Sequence, residues 1–320
     1  MLKVIIGFFV FCIILFFYLH IQFHLKQSND LEIYEIEQES KDKIEEICDL
    51  RQPVLINCDE DCMNIINKTN IDYLSVNYPT FDVKIRHKTD LSNDGDISVT
   101  LPLHVAIKLF KDDTSFSYFS EGNIDFLNET GAIKNISYND KYFRPFLVSN
   151  CYYDIIFGST NVETPFRFDL NYRNYYIVTQ GSIIVKLSPP QNSKYLHPIS
   201  DYDNFEFRSP INPWEPQEKY KVDFDKIKCL EIKLTKGKII YIPAYWWYSI
   251  KFDENTSVSC LKYRTYMNNI AISPSILMYT LQNQNIKRKI VKPLNMNEHN
   301  SEITNNSEII NNSEINDKST

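Results

Sequence analysis

Arg167 and Asp169 are the residues whose types and spacing could most directly do chemistry. They lie two residues apart in FRFDLNY (166–172), and in a strand that spacing places both side chains on one face. A guanidinium is charged at every accessible pH and has no lone pair to give a metal. The pattern therefore predicts a charge-assisted hydrogen bond between Arg167 and Asp169 at a buried polar centre.

The histidines and cysteines do not follow a metal-ligand pattern. His197, in the loop YLHPI, is the histidine nearest to Arg167 in sequence, and we expect it to be a surface residue. Cys58 and Cys62 are spaced C-x3-C, with Cys48 upstream, but no second Cys/His pair follows at zinc-ligand spacing. We expect unpaired thiols, with a Cys58–Cys62 or Cys48–Cys58 disulfide as the alternative in an oxidising compartment. The sequence also contains no Gly-rich phosphate loop and no nucleophile elbow.

The composition is that of a chain that folds around a hydrophobic core. Its 320 residues are 43% hydrophobic and 23% charged, and the 21 tyrosines and 20 phenylalanines favour strands. A net charge of −7 argues against a general nucleic-acid binder, so we expect no nucleic-acid partner. Seven cysteines are too few for a disulfide-stapled small domain.

The N-terminal segment is expected to contact a membrane. Residues 4–19 carry no charge, and Ile21 and Phe23 extend the apolar run. At ~1.5 Å per residue, residues 4–23 can cross a hydrocarbon layer of ~30 Å. A cleaved signal peptide would need a small-x-small site, which residues 20–25 do not offer. The sequence thus favours an uncleaved signal-anchor in residues 1–26 and a single-pass membrane protein. A small excess of positive charge before the anchor weakly favours a cytosolic N-terminus and a lumenal domain.

Two further parts follow the anchor. Residues 294–320 contain NSEI at Asn300, Asn306 and Asn312, and we expect a disordered polar tail. Residues 27–293 show no linker and are expected to form one domain. A charged helix is expected over 36–47, and Ser273-Pro274 is expected to begin a helix that continues to residue 289. Strands are predicted at 81–86, 97–107, 115–119, 174–178, 182–187, 238–242, 248–252 and 258–263.

Many short strands without βαβ spacing indicate a mainly β fold, an antiparallel sandwich or double-stranded barrel. Two segments, residues 164–190 and 237–250, sharpen that expectation. They resemble the JmjC/cupin-like group of Fe(II)- and 2-oxoglutarate-dependent oxygenases, in which one strand carries T-x-x-H-x-D and a later one G-D-x-x-x-I-P-x-x-W-x-H. The matching positions are Thr164, Asp169, Asn174 (one residue late), Gly181, Pro189-Pro190, Gly237, Ile242-Pro243 and Trp246-Trp247. The resemblance covers about residues 45–268 and implies a double-stranded β-helix with flanking helices.

The chain departs from the family at the positions that the chemistry needs most. Members of the group hold iron with two histidines and one carboxylate. Here Arg167 and Tyr248 stand at the two histidine positions, and of the three ligands only Asp169 remains. At the 2-oxoglutarate positions, Ile183 replaces the lysine, while Thr164 and Asn174 stay polar. We expect Tyr248 to complete the polar centre with its hydroxyl.

These departures predict a catalytically inactive, membrane-anchored binding or structural module with no metal and no cofactor. Its partner would be a protein or small-molecule ligand in the barrel pocket. The alternative is an Fe(II)/2-oxoglutarate-dependent oxygenase, acting on a protein or a small molecule, with an atypical metal site.

Overall fold

The protein is mainly β, with fifteen strands in two sheets among the described residues. The computed structural model describes residues 1–37, 39–58, 60–88 and 98–284. The helices are α1 Leu2–Leu25, α2 Lys41–Cys48, α3 Glu60–Thr69, α4 Ile71–Asn77, α5 Leu103–Asp112, α6 Ile124–Glu129, α7 Ile133–Ser137, α8 Lys221–Phe224, α9 Tyr266–Ala271 and α10 Ser273–Gln284. Short 3₁₀ turns lie at Pro190–Tyr195 and Glu218–Tyr220.

The larger sheet has the order β1-β2-β13-β8-β15-β6-β5-β3-β4. Its strands are β1 Tyr34–Ile36, β2 Val54–Asn57, β3 Asp82–His87, β4 Val99–Pro102, β5 Tyr118–Ser120, β6 Val148–Gly158, β8 Arg173–Gln180, β13 Lys238–Tyr241 and β15 Ser257–Thr265. The smaller sheet has the order β10-β11-β7-β14-β9-β12. Its strands are β7 Arg167–Phe168, β9 Ser182–Ser188, β10 Ile199–Asp201, β11 Glu206–Arg208, β12 Leu230–Thr235 and β14 Trp247–Phe252. The β1–β2 pair is parallel and the other pairs are antiparallel.

Two apolar layers hold the sheets in place. One lies between the sheets and contains Ile183, Val185 and Ile250 with Trp246. The other lies between the outer face of the larger sheet and the helices. Strand β8 is therefore covered on both faces, and almost every one of its residues is buried instead of every second one. Gly181, at φ +69°, carries the chain from β8 into β9, and a Cβ there would collide with Thr256.

Helix α1 is long and apolar enough to span a membrane, a test that a signal sequence near the N-terminus would also pass. Its apolar side chains are exposed from Leu2 to Leu19. The last turn instead contacts the domain, where His24 Nε2 lies 3.2 Å from Thr265 Oγ1 and Arg51 donates to the Phe23 carbonyl.

The predicted fold class is confirmed, and most of the predicted strands lie within one or two residues of the observed ones. The strand predicted over 97–107 is wrong in its second half. Residue 97 lies outside the described residues, β4 ends at Pro102, and α5 follows. The reason is that Leu103, Ala106 and Phe110 are buried at helical spacing, whereas His104 is exposed and lies 2.7 Å from the Pro79 carbonyl.

Smaller differences concern element ends. The helix predicted over 36–47 begins at Lys41, because the Ser40 hydroxyl caps it, and residues 34–36 instead form β1. The strand predicted over 115–119 is displaced to Tyr118–Ser120, and the prediction does not include β1, β6, β10, β11 and β12. The predicted helix after Ser273 is present to Gln284. Its continuation to residue 289 and the tail at 294–320 lie outside the described residues.

Candidate functional site

The structure brings Arg167, Asp169 and Tyr248 together at one end of the smaller sheet. Strand β7 lies between β11 and β14, and Arg167 pairs in register with Tyr248 on one side and Arg208 on the other. Residues opposite each other in antiparallel strands share a face, so Arg167 and Tyr248 both point between the two sheets. Asp169 follows β7 directly.

The direct pair expected between Arg167 and Asp169 does not form. Arg167 instead bonds two glutamates from other elements, Glu121 after β5 and Glu206 on β11. Its Nη1 lies 2.9 Å from Glu121 Oε2 and 3.1 Å from Glu206 Oε1, and its Nη2 bonds Glu121 Oε1. Arg86 on β3 bonds the same two carboxylates, each at 3.0 Å. Two arginines and two glutamates therefore close a ring of ion pairs.

Asp169 takes its cation from β15. Lys262 Nζ lies 2.9 Å from Asp169 Oδ2. The Tyr248 hydroxyl joins the two halves, since it accepts from Arg167 Nε at 3.1 Å and donates to Asp169 Oδ2 at 2.9 Å. Tyr176 on β8 donates to the Tyr248 hydroxyl at 2.7 Å. We call Arg86, Glu121, Arg167, Asp169, Glu206, Tyr248 and Lys262 the Arg167 cluster.

The electrostatics of the Arg167 cluster favour the charged forms. Burial opposes the charge on Glu121, but Arg167 and Arg86 outweigh it and lower the Glu121 pKa to about 2. Burial likewise opposes the charge on Asp169, and Lys262 and Arg167 outweigh it and lower the Asp169 pKa. Burial raises the pKa of Tyr248, which is therefore a neutral phenol.

The pKa of Asp154, which lies on β6 beside the cluster, is shifted in the opposite direction. Burial and the nearby charge of Glu121 raise its pKa to about 6, although the backbone N–H groups of Gly122, Asn123 and Ile155 donate to its carboxylate.

A cavity of about 350 Å³ opens onto the cluster. Its charged lining residues are Lys84, Arg86, Glu121, Asp154, Arg167, Asp169, Glu206 and Lys262. A larger groove of about 870 Å³ adjoins it and shares Asp154, Asp169 and Lys262. Amides and aromatic rings line the groove further out, among them Asn150, Tyr152, Asn171, Phe205 and Tyr279. The cavity, which is lined by charges of both signs, is thus continuous with a groove lined by polar and aromatic side chains.

Residues 41–269, well over half of the chain, match the cupin-like domain family. The chain belongs to that family. The resemblance to JmjC/cupin-like proteins seen in the sequence is thereby confirmed, and the match lies on the two sheets described above.

Curated relatives match a shorter part of the chain. HSPB1-associated protein 1 of Rattus norvegicus, Bos taurus and Homo sapiens is 27% identical over 103 residues, which are 32% of this chain. The match covers 22% of the rat protein and 21% of the bovine and human proteins. The chain therefore spans about a fifth of the length of these relatives.

The side chains at the positions that the sequence resemblance assigns to the metal do not fit Fe(II). Arg167 has no lone pair to offer and carries a positive charge into the position of the first histidine. Tyr248 uses its hydroxyl for Arg167 and Asp169, and the Asp169 carboxylate is paired with Lys262. Among the described residues, no group of three or more His, Cys, Asp and Glu side chains is placed to hold a metal ion. His197 lies at the surface, 3.0 Å from Asp223.

The family's 2-oxoglutarate positions are used for structure. Ile183 is fully buried in the layer between the sheets, opposite Phe252 and Leu234. The Thr164 hydroxyl accepts from the Ile250 N–H at 2.9 Å. The Asn174 side chain donates to the Ile242 carbonyl at 3.0 Å. These three side chains offer no cation to a dicarboxylate.

Four members of the cluster were not found from the sequence. Lys262 could have been recognised, because it is a charged residue within the apolar predicted strand VSCLKY. It lies two residues after Cys260, so the two side chains point to the same face of the strand. Arg86 also closes a predicted strand. Glu121 lies in the polar stretch SEGN, and Glu206 lies between Phe205 and Phe207 in FEFR. The two glutamates are far apart in sequence, and neither stretch indicates a contact with Arg167.

Proposed function

We propose that this chain is a membrane-anchored cupin-like domain that binds neither Fe(II) nor 2-oxoglutarate and acts as a binding or structural module through its barrel cavity. The observation that carries the proposal is the Arg167 cluster. It fills the family's metal position with ion pairs that satisfy one another.

Iron binding at this place would have a high energetic cost. A metal ion would have to displace Arg167, and Glu121 and Glu206 would then keep Arg86, with Arg208 3.9 Å from Glu206. Separating a buried ion pair of this kind costs about 3–5 kcal/mol. The Asp169 carboxylate would also have to break its ion pair with Lys262. A single carboxylate is, moreover, a weak ligand set for a metal ion.

The cavity supports a binding role. Arg86, Arg167, Lys262 and their carboxylate partners hold fixed charges of both signs at its base, and the adjoining groove offers amides and aromatic rings. Such concave sites with a few fixed polar groups suit a ligand or a peptide segment. The relatives' name, HSPB1-associated protein 1, describes association with another protein, which favours a protein partner here.

The anchor part of the proposal rests on α1. Its exposed apolar surface over more than four turns is what a single membrane-spanning helix presents to lipid. We place the N-terminus in the cytosol and the domain in a lumen. Protease digestion of sealed microsomes tests this, since a lumenal domain is cut only after detergent is added, whereas a cytosolic domain is cut at once.

Metal titration of the full chain in detergent micelles tests inactivity. Under anaerobic conditions, Fe(II) and its redox-stable substitute Mn(II) are added with and without 2-oxoglutarate, and heat and thermal stabilisation are recorded. We expect neither at millimolar ligand.

Binding of one metal ion per chain would contradict the proposal if Asp169→Ala abolishes it and Asp225→Ala, an exposed carboxylate, does not. That result would make the chain an Fe(II)/2-oxoglutarate-dependent oxygenase with an atypical ligand set.

A further inference from the structure

An exposed apolar surface lies directly beside the last turns of α1. Phe146, Leu147 and Tyr266 are 78%, 56% and 61% exposed. Phe146 and Leu147 line a cleft of about 500 Å³, and Leu19 and Phe23 of α1 line its other side. We call Phe146, Leu147 and Tyr266 the tip.

The tip is held firmly in place. Leu147 has φ +52°, a left-handed conformation that leucine rarely adopts, and its carbonyl accepts from the Tyr266 N–H at 3.3 Å. The next residue, Val148, pairs with Thr265 at the end of β15. Thr265 also contacts His24 of α1. The tip and the end of α1 thus belong to one rigid end of the larger sheet.

The length of α1 sets the depth of the tip. Residues 4–23 contain twenty residues, which at ~1.5 Å each only just cross a hydrocarbon layer of ~30 Å. The whole run is needed to span the layer, so Leu19 and Phe23 must lie at its edge. Phe146 and Leu147 share a cleft with those two residues and must lie at the same level.

The surroundings of the tip also suit a lipid surface. Tyr138, Lys41 and Lys141 line a second groove together with Phe146 and Leu147. Aromatic side chains concentrate at the boundary between headgroups and acyl chains. Asp42, Glu45, Asp140 and Arg144 line the same groove. The tip therefore presents apolar groups in the middle and charged residues of both signs at the rim.

We propose that the tip inserts into the bilayer beside α1, as a second membrane contact that fixes the orientation of the domain. The inference rests on the proposed anchor. Interfacial segments of this kind bury their apolar groups about 5–10 Å into the headgroup and acyl boundary. Two contacts, one spanning and one interfacial, prevent the domain from rotating about the anchor.

Depth-dependent fluorescence quenching tests the insertion. Phe146→Trp is prepared in the full chain and reconstituted into two sets of vesicles. The lipids of one set carry bromine on the upper part of the acyl chain, at the depth expected for the tip, and those of the other carry it near the methyl end, at the depth expected for the middle of α1. The matched control is Val76→Trp, since Val76 is 79% exposed on α4, whose first residue bonds Ser257 at the opposite end of β15. Eight residue steps along β15 separate the two ends by about 26 Å. Phe11→Trp, in the middle of α1, reports on the anchor itself.

We expect bromine to quench the added emission of Phe146→Trp and Phe11→Trp, and to leave that of Val76→Trp unchanged relative to the parent chain. Quenching of Phe11→Trp without quenching of Phe146→Trp would overturn the insertion and leave the anchor intact; the tip would then be a surface for a protein partner. Absence of quenching at Phe11→Trp would overturn the anchor and the insertion together.

Discussion

Arg167 and Arg173 are both buried and lie six residues apart in sequence, but the surroundings of their two clusters differ. Arg173, on β8, bonds the Asp49 carboxylate and the Cys48 carbonyl, and its guanidinium lies 4.1 Å from the centre of the Tyr172 ring. It is enclosed by α2 and by aromatic rings, and we call Asp49, Tyr172, Arg173 and Tyr241 the Arg173 cluster. Arg167 is similarly buried, but it lines a cavity and shares two glutamates with a second arginine.

The comparison shows that burial and pairing do not by themselves separate a structural cluster from a site. In the Arg173 cluster, backbone carbonyls supply much of the hydrogen bonding, which ties α2 to the sheet. In the Arg167 cluster, side chains from five strands and two loops supply the hydrogen bonds, and several of these side chains also face the cavity. A ligand could therefore exchange partners with the Arg167 cluster without unfolding a helix.

The largest expected effect is that of Arg167→Met. Glu121 and Glu206 would lose the guanidinium that both of them bond, while Arg86 would remain, with Arg208 3.9 Å from Glu206. We expect the free energy of unfolding to fall by about 3–5 kcal/mol at pH 7. Urea denaturation of the full chain in detergent, followed by tryptophan fluorescence, measures it.

The matched variant is Arg173→Met. We expect a smaller loss, because Asp49 is about a third exposed and water can solvate it. A larger loss for Arg173→Met than for Arg167→Met would contradict the contrast between the two clusters. The loss from Arg167→Met should also shrink as the pH falls towards 4.5, since one glutamate can then be neutral.

Tyr248→Phe removes the hydroxyl that joins Arg167 to Asp169. Arg167 Nε and Asp169 Oδ2 would each lose a hydrogen bond in a buried place, so we expect a loss of about 2 kcal/mol in the free energy of unfolding. Tyr176→Phe, whose hydroxyl is at the edge of the same network, should cost about 1 kcal/mol. Equal costs for the two variants would show that Tyr248 does not bridge the cluster.

Asp154 should make stability depend on pH next to the Arg167 cluster. Its pKa in the fold is about 6, above the value of ~3.9 of an unfolded chain. The folded protein thus binds the extra proton, and this stabilisation is complete below pH ~4 and is lost as the pH rises through 6. We expect a loss of about 1 kcal/mol between pH 5 and pH 7.

The contribution of Asp154 is measured from the free energies of unfolding of the parent chain and of Asp154→Asn at the two pH values. Asp225→Asn is the control. An identical pH dependence in parent and Asp154→Asn would exclude Asp154 as the titrating group.

The smallest effect belongs to a surface pair outside both clusters. Lys43 and Glu46 lie 2.9 Å apart on the exposed side of α2. Exposed pairs of this kind contribute little, so Lys43→Ala should leave the unfolding midpoint unchanged. A clear shift of the unfolding midpoint would contradict this expectation. It would show that surface charge affects the stability of α2, and with it that of the Arg173 cluster.

Local pattern was enough to predict much of the fold. Short apolar or alternating runs located β8, β9, β14 and β15, because runs of that length and composition are typical of buried strands. The same reasoning failed at residues 103–107, where an apolar run without clear alternation suits a helix as well as a strand. Short elements such as β5 and the helices α4, α6 and α7 span three to seven residues, too few for a clear periodicity, and take their form from packing.

The sequence by itself determined the family and the apolar anchor candidate, and it predicts the positions at which the family's ligands are replaced. Arg167, Tyr248 and Ile183 are read directly from two motifs, and the chemistry of an arginine does not depend on its neighbours. Only the tertiary structure decided the partners of Arg167. Two-residue spacing suggested Asp169, but Glu121 and Glu206 reach the guanidinium from strands and loops 46 and 39 residues away, and Lys262 takes Asp169. Ion pairs depend on distance in space, and no local pattern encodes which distant strands will meet.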